Sequence, residues 1–533
     1  NMKTQSRHLI GLGSGIAAGI LVIPVACSPD ADKGKKEVRP MNILYIMCDD
    51  HSYQTISAYG SGLMDTPNID RIGDSGIVFT NSFVANSVSA PSRACLLTGK
   101  HSHKNGMTDN TKTFDGSQQT FPKLLRQAGY QTAIVGKWHL VSEPTGFDYW
   151  NILIGQGEYY NPVFIDNGVK KTVEGYATEV TTDIALDWLE NGRDTTKPFC
   201  LLLHHKAPHR TWMPDTADLG AFDNADIPLP VNFYDGYEGR PAAAAQEMEI
   251  ARHMDLVYDL KMADKEGEIH TDTGLEDYGR AMYNRMSPEQ KKAWDAYYDP
   301  IIEEFKESGL SGKELAEWKY RRYMQDYMSV IRSVDRNVGR VIDYLQENGL
   351  WENTIVVYTS DQGFYMGEHG WFDKRFMYEE SFRTPMLVHY PGGYQGEIDA
   401  FVQNIDHAPT FLEAAGAEIP EDIQGESYLS FLKDGKEPRG DRWRDALYYH
   451  YYEYPGEQAV RRHYGIRTDR YKLIHFYGDI DSWELYDLKE DPHEMNNLYG
   501  DDGYDRIQKK LYKKLVGLQK LYEDTTALKE NSR

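Results

Sequence analysis

Short apolar runs alternate with amphipathic stretches along most of the chain. The apolar runs are rich in aliphatic and β-branched residues and predict five buried strands: Asn42–Met47, Gln131–Val135, Phe199–His204, Thr354–Thr359 and Pro385–His389. The clearest amphipathic stretch is Tyr320–Asn348, where apolar residues recur at helical spacing until Gly349. This alternation predicts an α/β fold with a mostly parallel central sheet flanked by helices.

The pattern changes after about residue 440. Strand-like runs at Ala446–Tyr454 and Trp483–Leu488 flank a hairpin-like segment, Arg462–Phe476. An amphipathic helix is predicted at Asp505–Tyr522. We therefore expect a main domain at residues 40–440 and a C-terminal subdomain, an antiparallel sheet plus a helix, at residues 441–533.

Residues 213–318 form a long polar stretch within the main domain. The stretch is rich in Met, Tyr and acidic residues, and it contains helical patches such as Ala242–Leu260. We interpret it as an insertion. The sequence leaves open whether it lies near the entrance for a substrate or is a solvated decoration of the surface.

The N-terminus resembles a bacterial export signal. A basic start and a stretch of small apolar residues precede Cys27, and the tripeptide that ends at Cys27 resembles a lipobox. We expect residues 1–27 to be a lipoprotein signal with Cys27 lipidated, and residues 28–39 to be a polar tether. The protein would then be exported to the periplasm or outer membrane of a Gram-negative bacterium, with this lipid as its only link to a membrane.

Net charge and cysteine content limit which ligands the protein can bind and whether disulfides hold its fold. The 533 residues carry a formal net charge of −24, so nucleic acid is excluded as a partner, and an anionic substrate would need a local basic pocket. Besides Cys27, the chain has Cys48, Cys95 and Cys200, an odd count without repeated spacing. We expect these three to be buried apolar residues rather than a disulfide framework.

Two pairs of oxygen-bearing residues follow predicted strands. Asp49-Asp50 follows the first strand, and Asp361-Gln362 follows the strand that ends at Thr359. Adjacent carboxylates repel each other unless a cation neutralises them. An Asp-Asp dipeptide without other ligands nearby can also be part of a solvated turn. Three carboxylates and an amide oxygen, with no His or Cys among them, suit Ca²⁺ better than Zn²⁺.

The run Ser89-Ala-Pro-Ser-Arg-Ala-Cys-Leu-Leu-Thr-Gly99 has the order of a nucleophile at a helix entrance. Ser89 would lie where backbone N–H groups favour an anion, Arg93 would follow one turn later, and Gly99 would end the helix. An ordinary serine cap is the alternative. The run resembles the signature of type I sulfatases, which are alkaline-phosphatase-like in fold, and the resemblance extends over the chain from about residue 40.

The resemblance implies the chemistry of the site. In the family the residue at the position of Ser89, more often Cys, is oxidised to formylglycine by a maturation enzyme and becomes the nucleophile. The sequence leaves open whether Ser89 is native or a replacement. The family's calcium ligands would correspond to Asp49, Asp50, Ser89, Asp361 and Gln362, where the family usually has Asn or His at the position of Gln362.

Three further segments resemble the family. In Gly136-Lys137-Trp138-His139, an extended backbone would turn Lys137 toward a sulfate oxygen and His139, as a base, toward the nucleophile. Ala207-Pro208-His209 and the Lys374 segment before Tyr378-Glu379 imply contacts with sulfate and a proton for the leaving oxygen. With Arg93, these side chains would complete the catalytic set.

The resemblance also points to a substrate class. The segments around Lys374–Arg383 and His463–Arg467 look most like sulfatases of 6-O-sulfated N-acetylglucosamine in heparan-type or mucin-type glycans. We therefore expect Arg383, His463 and Arg467 to bind the sugar. The alternatives are a sulfatase of galactose or uronate, a phosphomonoesterase or phosphonate hydrolase of the same superfamily, and a non-catalytic glycan-binding lipoprotein.

Overall fold

The computed structural model describes residues 40–440 and 442–532. The predicted signal and tether, residues 1–27 and 28–39, and the predicted lipidation site Cys27 lie outside the described residues. Residues 40–533 cluster as one compact unit. Among the described helices, none combines the length and the apolar character that a membrane span requires.

A ten-stranded sheet forms the centre of the molecule, in the order β12-β2-β11-β9-β1-β8-β4-β5-β6-β7. The strands of this sheet are β1 (Asn42–Cys48), β2 (Ile77–Phe79), β4 (Gln131–Lys137), β5 (Tyr149–Leu153), β6 (Val163–Asp166), β7 (Val169–Thr172), β8 (Phe199–His204), β9 (Thr354–Ser360), β11 (Met386–His389) and β12 (Gly396–Ile398). A small second sheet contains β3 (Ser82–Phe83), β10 (Arg383–Thr384) and β13 (Val402–Gln403).

The middle of the large sheet is parallel. β9, β1, β8, β4 and β5 run in one direction, whereas β11 pairs antiparallel with both β9 and β2. All five predicted strands are confirmed, because continuous aliphatic runs are typical of strands buried on both faces. Alternate residues of β1 enter different layers, with Leu44 and Ile46 on one face and Ile43 and Tyr45 on the other.

Helices cover both faces of this sheet, and further helices pack elsewhere in the described chain. The α-helices of the described residues are α1 (Pro67–Asp74), α2 (Ser89–Thr98), α3 (Ser102–Asn105), α4 (Phe121–Gln127), α5 (Ala177–Asp187), α6 (Pro241–Ala244), α7 (Glu276–Asn284), α8 (Pro288–Ser308), α9 (Gly312–Glu347), α10 (Glu379–Phe382), α11 (His407–Ala414), α12 (Leu429–Asp434), α13 (Asp505–Leu521) and α14 (Thr525–Glu530). The predicted mostly parallel sheet flanked by helices is therefore confirmed.

Two predicted helices differ from the structure. α9 begins at Gly312, eight residues before the predicted start at Tyr320. The prediction missed these first two turns because they bury few residues and show no apolar periodicity. The predicted helical patch Ala242–Leu260 is wrong, since only α6 is helical there. Its backbone instead bonds distant segments: the N–H of Ile250 donates to the carbonyl of Gly370, and the N–H of Phe372 donates to the carbonyl of Met248.

The C-terminal region contains a four-stranded antiparallel sheet, as the sequence predicts. The strands are β14 (Ala446–Tyr451), β15 (His463–Thr468), β16 (Tyr471–Phe476) and β17 (Ser482–Asp487), in sequential order. α13 packs on one face through Leu511 and Leu515. Elsewhere, Cys48, Cys95 and Cys200 are free and buried, which confirms the expectation for these thiols.

Candidate active site

Four adjacent parallel strands end at the site. Asp361 follows β9, Asp49 and Asp50 follow β1, His209 lies on the segment after β8, and Lys137 is the last residue of β4. The backbone ties these segments together, because the N–H of Asp361 donates to the carbonyl of Cys48 at 3.1 Å. Ligand sites in open α/β sheets lie beyond the carboxyl ends of the strands, and this edge follows that rule.

Helix α2 brings the predicted nucleophile to this edge. The helix runs from Ser89 to Thr98 and is capped by Gly99, whose φ of 65° is the left-handed conformation that favours glycine. The hydroxyl of Ser89 donates to Oδ1 of Asp49 at 3.0 Å. Arg93, one turn later, donates from Nη2 to Oδ2 of Asp361 at 3.1 Å. Both side chains are buried, so the helix places its polar start inside the protein.

Oxygen atoms converge on the same point. The backbone N–H of Asp50 donates to Oδ1 of Asp361 at 3.1 Å, and Nε2 of Gln362 donates to Oδ1 of Asp50 at 2.5 Å. The remaining amide oxygen of Gln362, Oε1, is buried and has no hydrogen-bond partner among the described residues. A buried amide oxygen without a partner is a candidate cation ligand.

A metal ion fits this arrangement. Ligand atoms of Asp49, Asp50 and His209 lie within 4.8 Å of one another, and Nε2 of His209 is 3.8 Å from Oδ2 of Asp50. The family resemblance implied that His209 contacts sulfate, whereas here its ring lies beside the carboxylates. The described side chains thus offer carboxylate and amide oxygens together with one imidazole.

Cationic side chains surround the carboxylates. Nζ of Lys374 lies 2.8 Å from Asp50, and Nζ of Lys137 contacts Oδ2 of Asp49. Lys137 and Lys374 are both buried, so each ammonium depends on these contacts. Five of the six predicted catalytic side chains therefore contact or approach this acidic cluster. The sixth, His139, lies near enough for the charges of Lys137 and Asp49 to affect its pKa.

The pKa values reflect a crowded, buried cluster of charge. Burial and the neighbouring Asp49 raise the pKa of Asp361 to about 7, and burial also raises the pKa of Asp50 to about 6. Burial would raise the pKa of Asp49 as well, but the charge of Lys137 and other cations lowers it. A further positive charge at the site would therefore favour full ionisation of Asp49, Asp50 and Asp361.

His139 reaches the site by a turn rather than by an extended strand. Its φ of 55° is left-handed, so the expectation that an extended backbone aligns it with Lys137 is wrong. Burial and the charge of Lys137 lower the pKa of His139, which keeps the imidazole neutral. Nδ1 of the ring is buried without a partner among the described residues, so it can accept a proton.

The prediction that His463 binds the sugar is not supported. His463 is fully buried in β15, where Nε2 accepts a hydrogen bond from the N–H of Met377 at 3.1 Å and Nδ1 lies 2.7 Å from the carbonyl of Arg461. The ring packs against aromatic neighbours such as Phe476. Both ring nitrogens already have partners, so no donor or acceptor is left for a ligand.

The two predicted sugar-binding arginines are also engaged within the protein. Arg467 is buried and bonds Glu379 through Nε at 2.8 Å and the carbonyl of Thr468 through Nη1 at 2.6 Å. Arg383 donates to the carbonyl of Thr80 at 2.9 Å and lies 3.7 Å from Glu379. Arg467 ties Glu379 to the C-terminal sheet, and Arg383 ties the same segment to Thr80. Sugar binding by these two arginines stays a prediction.

A cleft of about 730 Å³ opens beside His209. Its wall combines Gln156, Arg210 and Gln458 with residues of the segment 213–318, among them Tyr258 and Tyr278. Arg210 is fixed by two hydrogen bonds to Asp259, at 2.7 and 2.9 Å. The polar segment therefore borders the space through which a ligand would reach the site.

Two residues near Lys137 were not predicted from the sequence. Gln156 contacts Nζ of Lys137 through its side-chain oxygen, and Lys206 is buried beside it. Gln156 lies in a loop without periodicity or motif, so no sequence signal identified it. Lys206 lies three residues before His209 in the sequence, and this proximity was the only sequence feature that could have linked it to the site.

Family models match nearly all of the described chain. The model described as Sulfatase matches residues 41–417, and the model described as N-sulphoglucosamine sulphohydrolase, C-terminal, matches residues 367–521. The chain is also 51% identical, over 538 residues, to an N-acetylglucosamine-6-O-sulfatase of Bacteroides thetaiotaomicron. That alignment covers 98% of this chain and 95% of the relative.

Solved structures also match this chain over most of its length. A protein in complex with its substrate D-glucosamine-2-N,6-O-disulfate matches with a TM-score of 0.87 and 51% identity, covering 91% of this chain and 99% of that one. A phosphonate monoester hydrolase of Agrobacterium radiobacter matches with a TM-score of 0.64 and 21% identity, covering 91% and 96%. The second likeness concerns the fold alone.

Proposed function

Since the chain belongs to the sulfatase family and is a sulfuric ester hydrolase, we propose that it removes the 6-O-sulfate of N-acetylglucosamine units in heparan-type or mucin-type glycans. One observation carries the proposal: identity of 51% extends over nearly the full length of a relative that is an N-acetylglucosamine-6-O-sulfatase. The alignment spans the central sheet, the segment 213–318 that borders the cleft, and the C-terminal region.

The residues at the sheet edge fit a cation and a modified nucleophile. We infer that Ca²⁺ would be held by Asp49, Asp50, Asp361, Gln362 and the group at position 89. Ser89 would be converted to formylglycine by a maturation enzyme. When bound and formed, these groups would supply a Lewis acid and a hydrated aldehyde as nucleophile.

The chain's own side chains supply binding and proton transfer. Arg93 and Lys137 offer positive charge to the sulfate oxygens, whose charge must be neutralised inside a buried site. The neutral imidazole of His139 can accept a proton from the nucleophile. Lys374 and His209 both lie beside Asp50, from where a proton or hydrogen bond would assist the departing sugar oxygen.

The protein's location is a separate proposal. We infer from the sequence before residue 40 that the chain is exported and anchored through a lipid on Cys27. A periplasmic or outer-membrane site would give it access to glycan fragments. Its partners would then be the sulfated glycan and the formylglycine-generating enzyme, with no nucleic acid.

A substrate panel tests the proposal. We expect sulfate release from N-acetylglucosamine-6-sulfate to exceed that from 2-O-sulfated uronate or sulfated galactose by at least about 100-fold, because unpaired polar groups in a site disfavour the wrong isomer. The measurement is kcat/KM by ion chromatography of sulfate. Preference for another sulfated sugar would overturn the substrate, and faster cleavage of a phosphomonoester would overturn the reaction.

A further inference from the structure

The loop after β5 connects two parts of the site that come from different strands. Gln156 contacts Nζ of Lys137 through Oε1. Three residues later, the hydroxyl of Tyr159 donates to the backbone carbonyl of His209 at 2.6 Å. Between them, Nζ of Lys206 donates to the carbonyl of Gln156 at 3.2 Å and lies 4.8 Å from the centre of the Tyr159 ring.

Two of these side chains are buried, while Gln156 is half-buried and also borders the cleft beside His209. Tyr159 is 2% exposed and Lys206 is 6% exposed. A buried ammonium needs partners that compensate for lost water, and here a carbonyl and an aromatic face provide them. Displacing the loop would leave this ammonium short of partners, so the loop has one well-defined position.

We propose that Gln156 and Tyr159 are positioning residues, with Lys206 locking them together. Gln156 would hold the ammonium of Lys137 beside Asp49, and Tyr159 would hold the backbone that carries the His209 ring. This inference rests on the proposed function, because it takes Lys137 as a sulfate ligand and His209 as a partner of the leaving oxygen.

The two contacts have different kinetic signatures. Loss of the Gln156 contact loosens Lys137, which would hold the sulfate in both the ground state and the transition state, so KM should rise. Loss of the Tyr159 contact misplaces His209, which matters most as the sugar oxygen departs, so kcat should fall. A role confined to stability would produce neither pattern.

Tyr160 provides a matched control for Tyr159. Its hydroxyl donates to the carbonyl of Pro214 at 2.6 Å, and it is 3% exposed. Tyr159→Phe and Tyr160→Phe therefore remove the same kind of buried hydrogen bond from neighbouring residues. Only the first of these bonds ends on the backbone of His209.

The test compares these variants on N-acetylglucosamine-6-sulfate, with melting temperatures measured in parallel. Tyr159→Phe should lower kcat about tenfold with little change in KM, while Tyr160→Phe keeps both within about twofold. Equal kcat values for the two variants at similar melting temperatures would overturn the role of Tyr159. Inactivity of the unmutated protein on this substrate would instead overturn the proposed function.

Gln156→Met tests the contact between Gln156 and Lys137, because methionine keeps the length of the side chain and removes the oxygen. The inhibition constant of inorganic sulfate and the KM should both rise about tenfold. The sulfate constant can also be measured by calorimetry, which does not require turnover. Unchanged sulfate binding in this variant would overturn the role of Gln156.

Discussion

The carboxyl edge of the central sheet and the C-terminal sheet both bury charged and imidazole side chains, yet they use them differently. At the edge, the side chains follow strand ends and converge on a cleft. In the C-terminal sheet, His463 and Arg467 lie within β15, which is paired on both sides by β14 and β16. The ring of His463 packs against Phe376 and Phe476, and Arg467 bonds Glu379, so both side chains face packed neighbours.

Hydrogen bonding separates the two regions further. At the edge, Oε1 of Gln362 and Nδ1 of His139 are buried and lack partners among the described residues. Both ring nitrogens of His463 have backbone partners. Buried groups with unused bonding capacity are candidates for function, whereas buried groups with all bonds made are more often structural.

The largest expected effect comes from the predicted nucleophile. Ser89→Ala should abolish sulfate release, by at least about 1,000-fold, because this side chain alone supplies the covalent atom. The melting temperature should change little, since a single hydroxyl is removed. Sulfate release within tenfold of the unmutated protein would show that the edge is not the site of the reaction.

Metal removal should have the next largest effect. Exhaustive chelation should lower activity by at least about 100-fold, and added Ca²⁺ should restore it, because three buried carboxyl groups need a further cation. Asp361→Asn should raise the Ca²⁺ concentration required for half-maximal activity. Activity that survives complete metal removal would contradict the metal site.

The smallest effect on activity is expected in the C-terminal sheet. His463→Phe should leave kcat/KM within about threefold but destabilise the fold by about 1–3 kcal/mol, because two backbone groups lose their partner. Thermal unfolding and kinetics on the same preparation provide the measurement. A selective loss of activity at normal stability would restore His463 as a sugar-binding residue.

The same variant should alter the pH dependence of stability. Burial lowers the pKa of His463 to about 3, below an unfolded value near 6.5. The unfolded chain therefore binds more protons between these values, so stability falls as pH decreases from 6.5 toward 3. In His463→Phe this dependence should weaken by at most one proton, about 1.4 kcal/mol per pH unit. An unchanged slope in urea unfolding would contradict the assignment.

The sequence predicted the sheet better than the polar segment. Continuous aliphatic runs such as Phe199–His204 identify buried strands without tertiary information. Around Met248 and Ile250, by contrast, the backbone bonds distant segments, and an apolar pattern that favours a helix was overridden by tertiary hydrogen bonds. Such long-range pairing leaves no local signal.

The site shows the same division. Asp49, Lys137 and Asp361 could be grouped from the sequence because each stands at the end of a strand, and parallel strands end at one edge. Gln156 could not, since its contact with Lys137 depends on how an irregular loop folds back. His463 was misassigned because strand position alone does not reveal whether a face is covered.

The most direct test of the contrast compares His209→Phe with His463→Phe on N-acetylglucosamine-6-sulfate. The measured quantity is kcat/KM per mole of folded protein, at matched Ca²⁺. We expect kcat/KM to fall by at least about 100-fold in His209→Phe and by less than about threefold in His463→Phe. A larger loss for His463→Phe than for His209→Phe would contradict the assignment of the active site to the carboxyl edge of the sheet.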